Sequence, residues 1–189
     1  IGNEVTSLGV QVHGGMGFIE ETGAAQFMRD ARIAAIYEGT NGIQAIDLVQ
    51  RKLPLSNGET VAREIADMRA VVADVAKVND PAFGATAARL GECIDALEVA
   101  TRYMLDALAA RPDDALAGAT PYLRLFGLAR GGTALARMGL AALNANGHEA
   151  HVDIARFFAE NLCVGGKGLE WTVTGGAASV HTAERALAS

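Results

Sequence analysis

Between residues 90 and 108, Leu90, Ile94, Leu97, Thr101, Met104 and Leu108 recur at alternating steps of four and three. That spacing lines one side of an α-helix and matches the seam of a helical bundle. The pattern returns at Tyr122, Phe126, Ala129, Thr133, Ala136, Leu140 and Leu143, and in shorter form at Ile65, Met68, Val72 and Val75. No strand-like alternation runs for more than a few residues. Half of the 189 residues are hydrophobic, mostly alanine and leucine, and only 5% are aromatic. Alanine loses no side-chain entropy in a helix and leucine loses little. The fold class predicted is all-α, an antiparallel helical bundle with short loops.

Charge narrows the partners. Sixteen Lys and Arg stand against 22 Asp and Glu, for a net charge of −6. No basic stripe points to nucleic acid, and no apolar run is long enough for a membrane span. Cys93 and Cys163 lie far apart inside apolar helical patterns, where cysteine acts as a small hydrophobe; a reduced, cytoplasmic setting is expected. The chain opens on Ile1 in what reads as a helix already under way, as expected of a fragment of a longer protein.

Along the chain, a helix over 3–12 is broken by "HGGMGF" at 13–18. A second is expected from Gly23 to Ile36 and a third from Thr40 to Leu53, with Thr40 or Asn41 as N-cap. Pro54 stops it, and "PLSNG" divides the chain into modules 1–53 and 54–189. Beyond, Asp80-Pro81 offers an N-cap and N1 proline, 111–121 reads as a loop, "ARGGTALA" leaves room for a neighbouring helix, and "NANGHE" at 144–149 reads as a turn. A last helix begins near Ala150 with Ala155, Phe158 and Leu162 on one face; whether it survives "GGKG" at 165–168 stays open.

Few constellations carry chemistry. "HGGMGF" offers a glycine nest for an anion or simply a turn, and no strand precedes it as in a dinucleotide fingerprint. "GGKG" lacks the length of a phosphate loop. His148 and His151 are three apart rather than four, so no metal site is expected. Glu20 and Glu21 read as solvated, and Arg29-Asp30 as ion-pairing. Glu38 is different, because it interrupts an apolar helical stretch between Tyr37 and Gly39. Either it faces solvent beside a helix start, or it is a general base on a short turn, partly desolvated by its aromatic neighbour.

"QVHGGMGF" followed by "FMRDARIAAIYEGTNGIQ" resembles the C-terminal domain of acyl-CoA dehydrogenases over about residues 1–53. The resemblance implies that Glu38 is the catalytic base, removing the α-proton of an acyl-CoA thioester while the β-hydrogen leaves as hydride to N5 of FAD, giving a trans-2-enoyl-CoA. It implies that Tyr37 and Gly39 flank the substrate and that Thr40 meets the FAD of its own subunit. Gln11, Gly14 and Gly15 match a Gln-x-x-Gly-Gly motif that contacts the adenine end of an FAD held largely by a neighbouring subunit. The enolate oxygen would be stabilised by the base's own amide and a flavin ribose hydroxyl. Where many relatives carry glutamine, this chain has Gly42, so that flavin contact is lost or replaced. The family further implies an electron-transferring flavoprotein as partner, a homodimer or homotetramer, and a role in fatty acid metabolism. Alone, the chain is expected to bind FAD poorly and to be inactive.

Residues 54–189 extend past the usual family end and resemble the tail of the branch that includes 3-(methylthio)propanoyl-CoA dehydrogenase, through "ARFFAENL" and "TGGAASV". Two alternatives stand beside this reading: an acyl-CoA oxidase passing electrons to oxygen, and a non-catalytic helical interaction module.

Overall fold

The computed structural model describes residues 2–143 and 149–187. It divides into two compact units, residues 1–44 and 45–189. Among the described residues all regular structure is helical, as the periodicity predicts.

The first unit is built on two helices, α1 (Gly2–Val12) and α3 (Ala24–Ile33), joined through a single turn, α2 (Gly15–Phe18). The break falls at Gly14, whose φ of 59° and ψ of −143° suit glycine and little else. Thr22 Oγ1 ties the connection down by donating to the Met16 carbonyl at 2.6 Å. α3 ends at Ile33, three residues short of the Ile36 predicted. Residues 34–38 instead form tight turns, with Ile36 N donating to Ile33 O at 2.9 Å, a bond that closes three residues rather than four. α4 (Asn41–Asp47) follows and then widens into a π-helical turn, Leu48–Lys52, closed by Leu53 N on Leu48 O at 2.8 Å. The single helix predicted from Thr40 to Leu53 is thus two helical types in succession.

The second unit is the bundle. α5 (Glu59–Val78), α6 (Thr86–Ala110) and α8 (Ala119–Leu143) run up, down and up, and α9 (Glu149–Asn161) and α10 (Gly166–Gly175) pack against α6 and α8. The predicted seam is the core: Leu90, Ile94, Leu97, Thr101 and Met104 are buried, as are Tyr122, Ala129, Thr133 and Ala136. Phe126 and Leu140 pack at its margin. On α5 the buried face is Val61, Ile65, Met68, Val71 and Val75, and the predicted Val72 packs against the core partly buried. The small residues of α8 admit α9 closely. A Cβ at Gly139 would lie 3.5 Å from Val152 Cα, and one at Gly132 would lie 3.6 Å from Phe158 Cδ1.

Ion pairs dress the outer faces. Arg69 of α5 meets Asp95 of α6 at 2.8 Å and also bonds Glu98, while Asp67 receives Arg137 at 2.7 Å and Arg130 at 3.0 Å from α8. Those arginine hydrogen bonds hold the Asp67 carboxyl below the usual carboxylate range. At the start of α6, Glu160 accepts the Ala85 amide at 2.8 Å; that bond, helped by Arg156, keeps its carboxyl low as well.

Other boundaries differ from expectation for visible reasons. The 111–121 loop contains a helix, α7 (Pro112–Ala117), because Pro112 sits where a first-turn proline costs nothing and Asp113 and Asp114 suit a helix N-terminus. Asp80 does cap, accepting from Ala82 N at 2.9 Å, but it caps only a short turn at Pro81–Phe83; Gly84, at φ 50°, delays α6 to Thr86. α9 stops at Asn161, leaving Leu162 off its buried face, and "GKG" opens α10 rather than prolonging the previous helix. α11 (Ala177–Leu187) is the last of the described helices. The turn predicted at 144–149, with His148, lies outside the described residues, except that Glu149 opens α9.

Candidate active site

Tyr37, Glu38, Gly39 and Thr40 form the link between α3 and α4. Thr40 begins α4 as expected: its Oγ1 accepts from Ile43 N at 3.4 Å, and its carbonyl accepts from Gln44 N at 3.0 Å. The turn itself is left-handed at two successive residues, Glu38 at φ 56° and Gly39 at φ 95°. Gly39 is at home there, and a Cβ would also lie 3.3 Å from Gln44 Nε2 and 3.4 Å from Ile43 Cγ2. Glu38 is not at home, since the left-handed region costs a non-glycine residue about 1–2 kcal/mol.

The contact that holds this turn was not foreseen. Gln44 donates from Nε2 to the main-chain oxygen of Glu38 at 2.8 Å, six residues back. It uses the backbone of Glu38 and leaves the side chain alone. Among the described residues, no hydrogen bond or ion pair engages the Glu38 carboxylate. Both Glu38 and Tyr37 are exposed in this chain, Tyr37 at 55%, so the desolvation expected from the aromatic neighbour is not supplied by these residues. The sequence signal for Gln44 was weak: a glutamine in the first turn of α4, within reach of the preceding loop.

The second motif lies elsewhere in the same unit. Gln11 ends α1, and it lines a cavity of about 700 Å³ with Val10, Phe18, Ala25, Met28 and Arg29. α1 and α3 pack against each other, and both contribute to the lining of this cavity. Gln11, Gly14 and Gly15 precede α3 in the chain and the glutamate turn follows it, with the ten residues of α3 between them. Of the seven candidate residues, Gln11 alone lines this cavity. Glu20 crosses the cavity edge to Arg29 at 3.5 Å, a loose pair between exposed groups, where solvation alone was expected for the glutamate.

Whether these residues suit a flavin nucleotide can be judged from the groups they offer. Gln11 is exposed at a cavity rim, and a Cβ at Gly14 or Gly15 would meet nothing within 4 Å, so backbone and amide are open to a flat polar ligand. That fits contact with the edge of such a group. α1 and α3 bury none of their residues fully, and Val5, Leu8, Val12, Phe27 and Ile33 are exposed.

Comparison with known proteins decides the family. Residues 64–184 match a family model described as "Acetyl-CoA dehydrogenase C-terminal like", and residues 1–53 match one described as "Acyl-CoA dehydrogenase, C-terminal domain". The chain belongs to the acyl-CoA dehydrogenase family. It is 46% identical over 155 residues to the 3-methylmercaptopropionyl-CoA dehydrogenase of Ruegeria pomeroyi, which covers 82% of this chain and 26% of that protein. It is 38% identical over 92 residues to a butyryl-CoA dehydrogenase of Syntrophomonas wolfei, covering 48% of the chain and 14% of the relative. A short-chain specific acyl-CoA dehydrogenase of Megasphaera elsdenii is 55% identical over 40 residues, or 21% of the chain and 10% of the relative. The chain thus spans about a quarter of the length of the first of these acyl-CoA dehydrogenases, and a smaller part of the others. The extension is as much a part of the family as the glutamate turn, since a family model matches it over most of its length. No described helix is long and apolar enough to cross a membrane.

Proposed function

We propose that this chain is the C-terminal part of an FAD-dependent acyl-CoA dehydrogenase that converts a short acyl-CoA thioester to its trans-2-enoyl-CoA, with Glu38 as the base. The observation that carries the proposal is the left-handed glutamate whose backbone is pinned by Gln44 and whose carboxylate is uncommitted. Strain of this kind persists where surrounding structure enforces it, and a base must be held rather than paired.

In this reading the Glu38 carboxylate takes the α-proton of the thioester, and its main-chain amide donates to the carbonyl oxygen as negative charge develops there. Gly39, lacking a side chain, lets the thioester approach the backbone, and Tyr37 covers one side of it. Binding of the acyl chain would exclude water from an otherwise exposed carboxylate and raise its basicity. Thr40, Gln11, Gly14 and Gly15 would contact FAD, the last three on a different subunit's cofactor. FAD held by these residues would supply a hydride acceptor for the β-hydrogen.

Residues 1–53 form the catalytic portion and 54–189 a helical extension. The 189 residues alone bind FAD weakly and turn nothing over, because helices α1 and α3 lack the cover that a binding pocket needs. A short acyl group is favoured because two relatives are named for butyryl and 3-methylmercaptopropionyl thioesters, chains of similar length. The test is to mix the complete polypeptide anaerobically with acyl-CoAs of increasing length and record oxidised-flavin absorbance and product mass. Bleaching that is fastest with short chains, and a product lighter by two hydrogens, is expected. No bleaching with any acyl-CoA would overturn the assignment.

A further inference from the structure

Cys93 of α6 and Cys163, in the short turn joining α9 to α10, are both buried, each 1% exposed, and neither is in a disulfide. They are 70 residues apart in sequence (163 − 93) yet line one cavity of about 300 Å³. The Cys163 thiol lies 3.8 Å from the Leu128 carbonyl. Two glycines make the space: a Cβ at Gly166 would lie 3.0 Å from Cys93 Sγ, and one at Gly132 would lie 2.9 Å from Cys163 Sγ. The cavity is reached from the surface, since Glu92, Asp95 and Lys167 also line it with side chains 60%, 64% and 58% exposed. Among the described residues no cluster of three His, Cys, Asp or Glu is arranged for a metal ion.

We propose that Cys93 and Cys163 form a reversible dithiol–disulfide site, oxidised by hydrogen peroxide entering this cavity. The proposal does not depend on the acyl-CoA reaction. The Cys163 thiol beside it favours the Cys93 thiolate and lowers its pKa, while Cys93 together with burial pushes Cys163 up. Cys93 is therefore the attacking sulfur and Cys163 the resolving one. The Cys93 thiolate attacks one peroxide oxygen; an S–O bond forms, the O–O bond breaks, and hydroxide leaves and takes a proton as water. Cys163 then attacks the sulfenic sulfur of Cys93; the S–S bond forms, the S–O bond breaks, and the oxygen departs as water with the Cys163 proton. The dithiol loses two electrons and the peroxide becomes two waters. A peroxide is hardly larger than the water that such a cavity admits. The new bond would tie α6 to the α9–α10 junction and restrict a long loop in the unfolded chain, raising thermal stability.

The experiment treats the folded protein with hydrogen peroxide, blocks remaining thiols, and maps peptides without reduction. One peptide joining Cys93 to Cys163, lighter by two hydrogens than the pair, is expected, with a melting temperature that rises and returns on adding dithiothreitol. In Cys163→Ala, Cys93 should be trapped as a sulfenic acid that dimedone labels. Recovery of both residues as free thiols, separate over-oxidation of each, or linkage only after loss of the helical circular dichroism would overturn the proposal. The wild-type map decides the matter even if the variant does not fold.

Discussion

The side-chain amide of Gln44 donates to the main-chain oxygen of Glu38 at 2.8 Å, so the first turn of α4 fixes the backbone of the residue that precedes it by six positions. A left-handed glutamate is held in place without its carboxylate being consumed. That division of labour makes separable predictions.

Gln44→Leu keeps the size of the side chain and removes the donor. The turn should relax toward commoner backbone angles, at a cost of about 0.5–1.5 kcal/mol for the lost hydrogen bond. The rate of flavin reduction should fall by about tenfold to 100-fold because the base is displaced, with substrate affinity less affected. Stopped-flow reduction at saturating acyl-CoA separates the two. An unchanged rate would show that the turn holds itself.

Glu38→Gly should do opposite things to stability and activity. Glycine occupies φ 56° without strain, so the melting transition should shift upward by about 0.5–1 kcal/mol net of glycine's extra unfolded-state entropy. Flavin reduction should be lost. A destabilised variant in chemical denaturation would mean that the glutamate side chain has a structural partner in the complete protein.

Tyr122 is a buried reporter of the bundle. Its hydroxyl lies 2.9 Å from Thr101 Oγ1, and burial raises its pKa from 10.0 to about 12. The phenol is thus harder to ionise in the folded state than in the unfolded one. Its contribution is intact below pH 10.0 and is lost as pH rises toward about 12, for a total of about 2–3 kcal/mol. Tyr122→Phe should lower stability at neutral pH by about 1 kcal/mol, and its stability should fall less steeply across that alkaline window. Urea unfolding at several alkaline pH values checks this; parallel curves would contradict it.

Leu97→Ala tests the seam itself. Leu97 is fully buried on the face shared with Leu90, Ile94, Thr101 and Met104, so the cavity left behind should cost about 2–5 kcal/mol. Thermal unfolding of the variant reads it directly, and a loss below about 1 kcal/mol would show that α6 is not the centre of the core.

What the sequence made legible follows from which residues carry periodic signals. The step of four and three from Leu90 to Met104 reports a buried helix face, because misplaced leucines there would face water. Val72 was placed on the α5 face and Val71 was not, although both pack on the core, because both positions lie within the width of one apolar stripe. α7 was hidden because Pro112 and Gly118 punctuate both loops and helices. The Tyr-Glu-Gly-Thr turn was visible by its residue types, but its left-handed glutamate was not. Local preference argues against that conformation, and the bond that enforces it comes from Gln44, whose partner is a carbonyl that every residue has. Cys93 and Cys163 each read correctly as a buried small hydrophobe; that they meet is a product of the packing of α6 against the α9–α10 turn.

The central claim is that Glu38 is the base, and one comparison tests it most directly. The complete protein and its Glu38→Gln variant, both loaded with FAD, are mixed anaerobically with butyryl-CoA while oxidised-flavin absorbance is followed. The account predicts rapid bleaching in the wild type and bleaching slowed by about 100-fold or more in the variant, with acyl-CoA still bound. Equal bleaching in both would place the base at another residue and leave the strained turn without its proposed role.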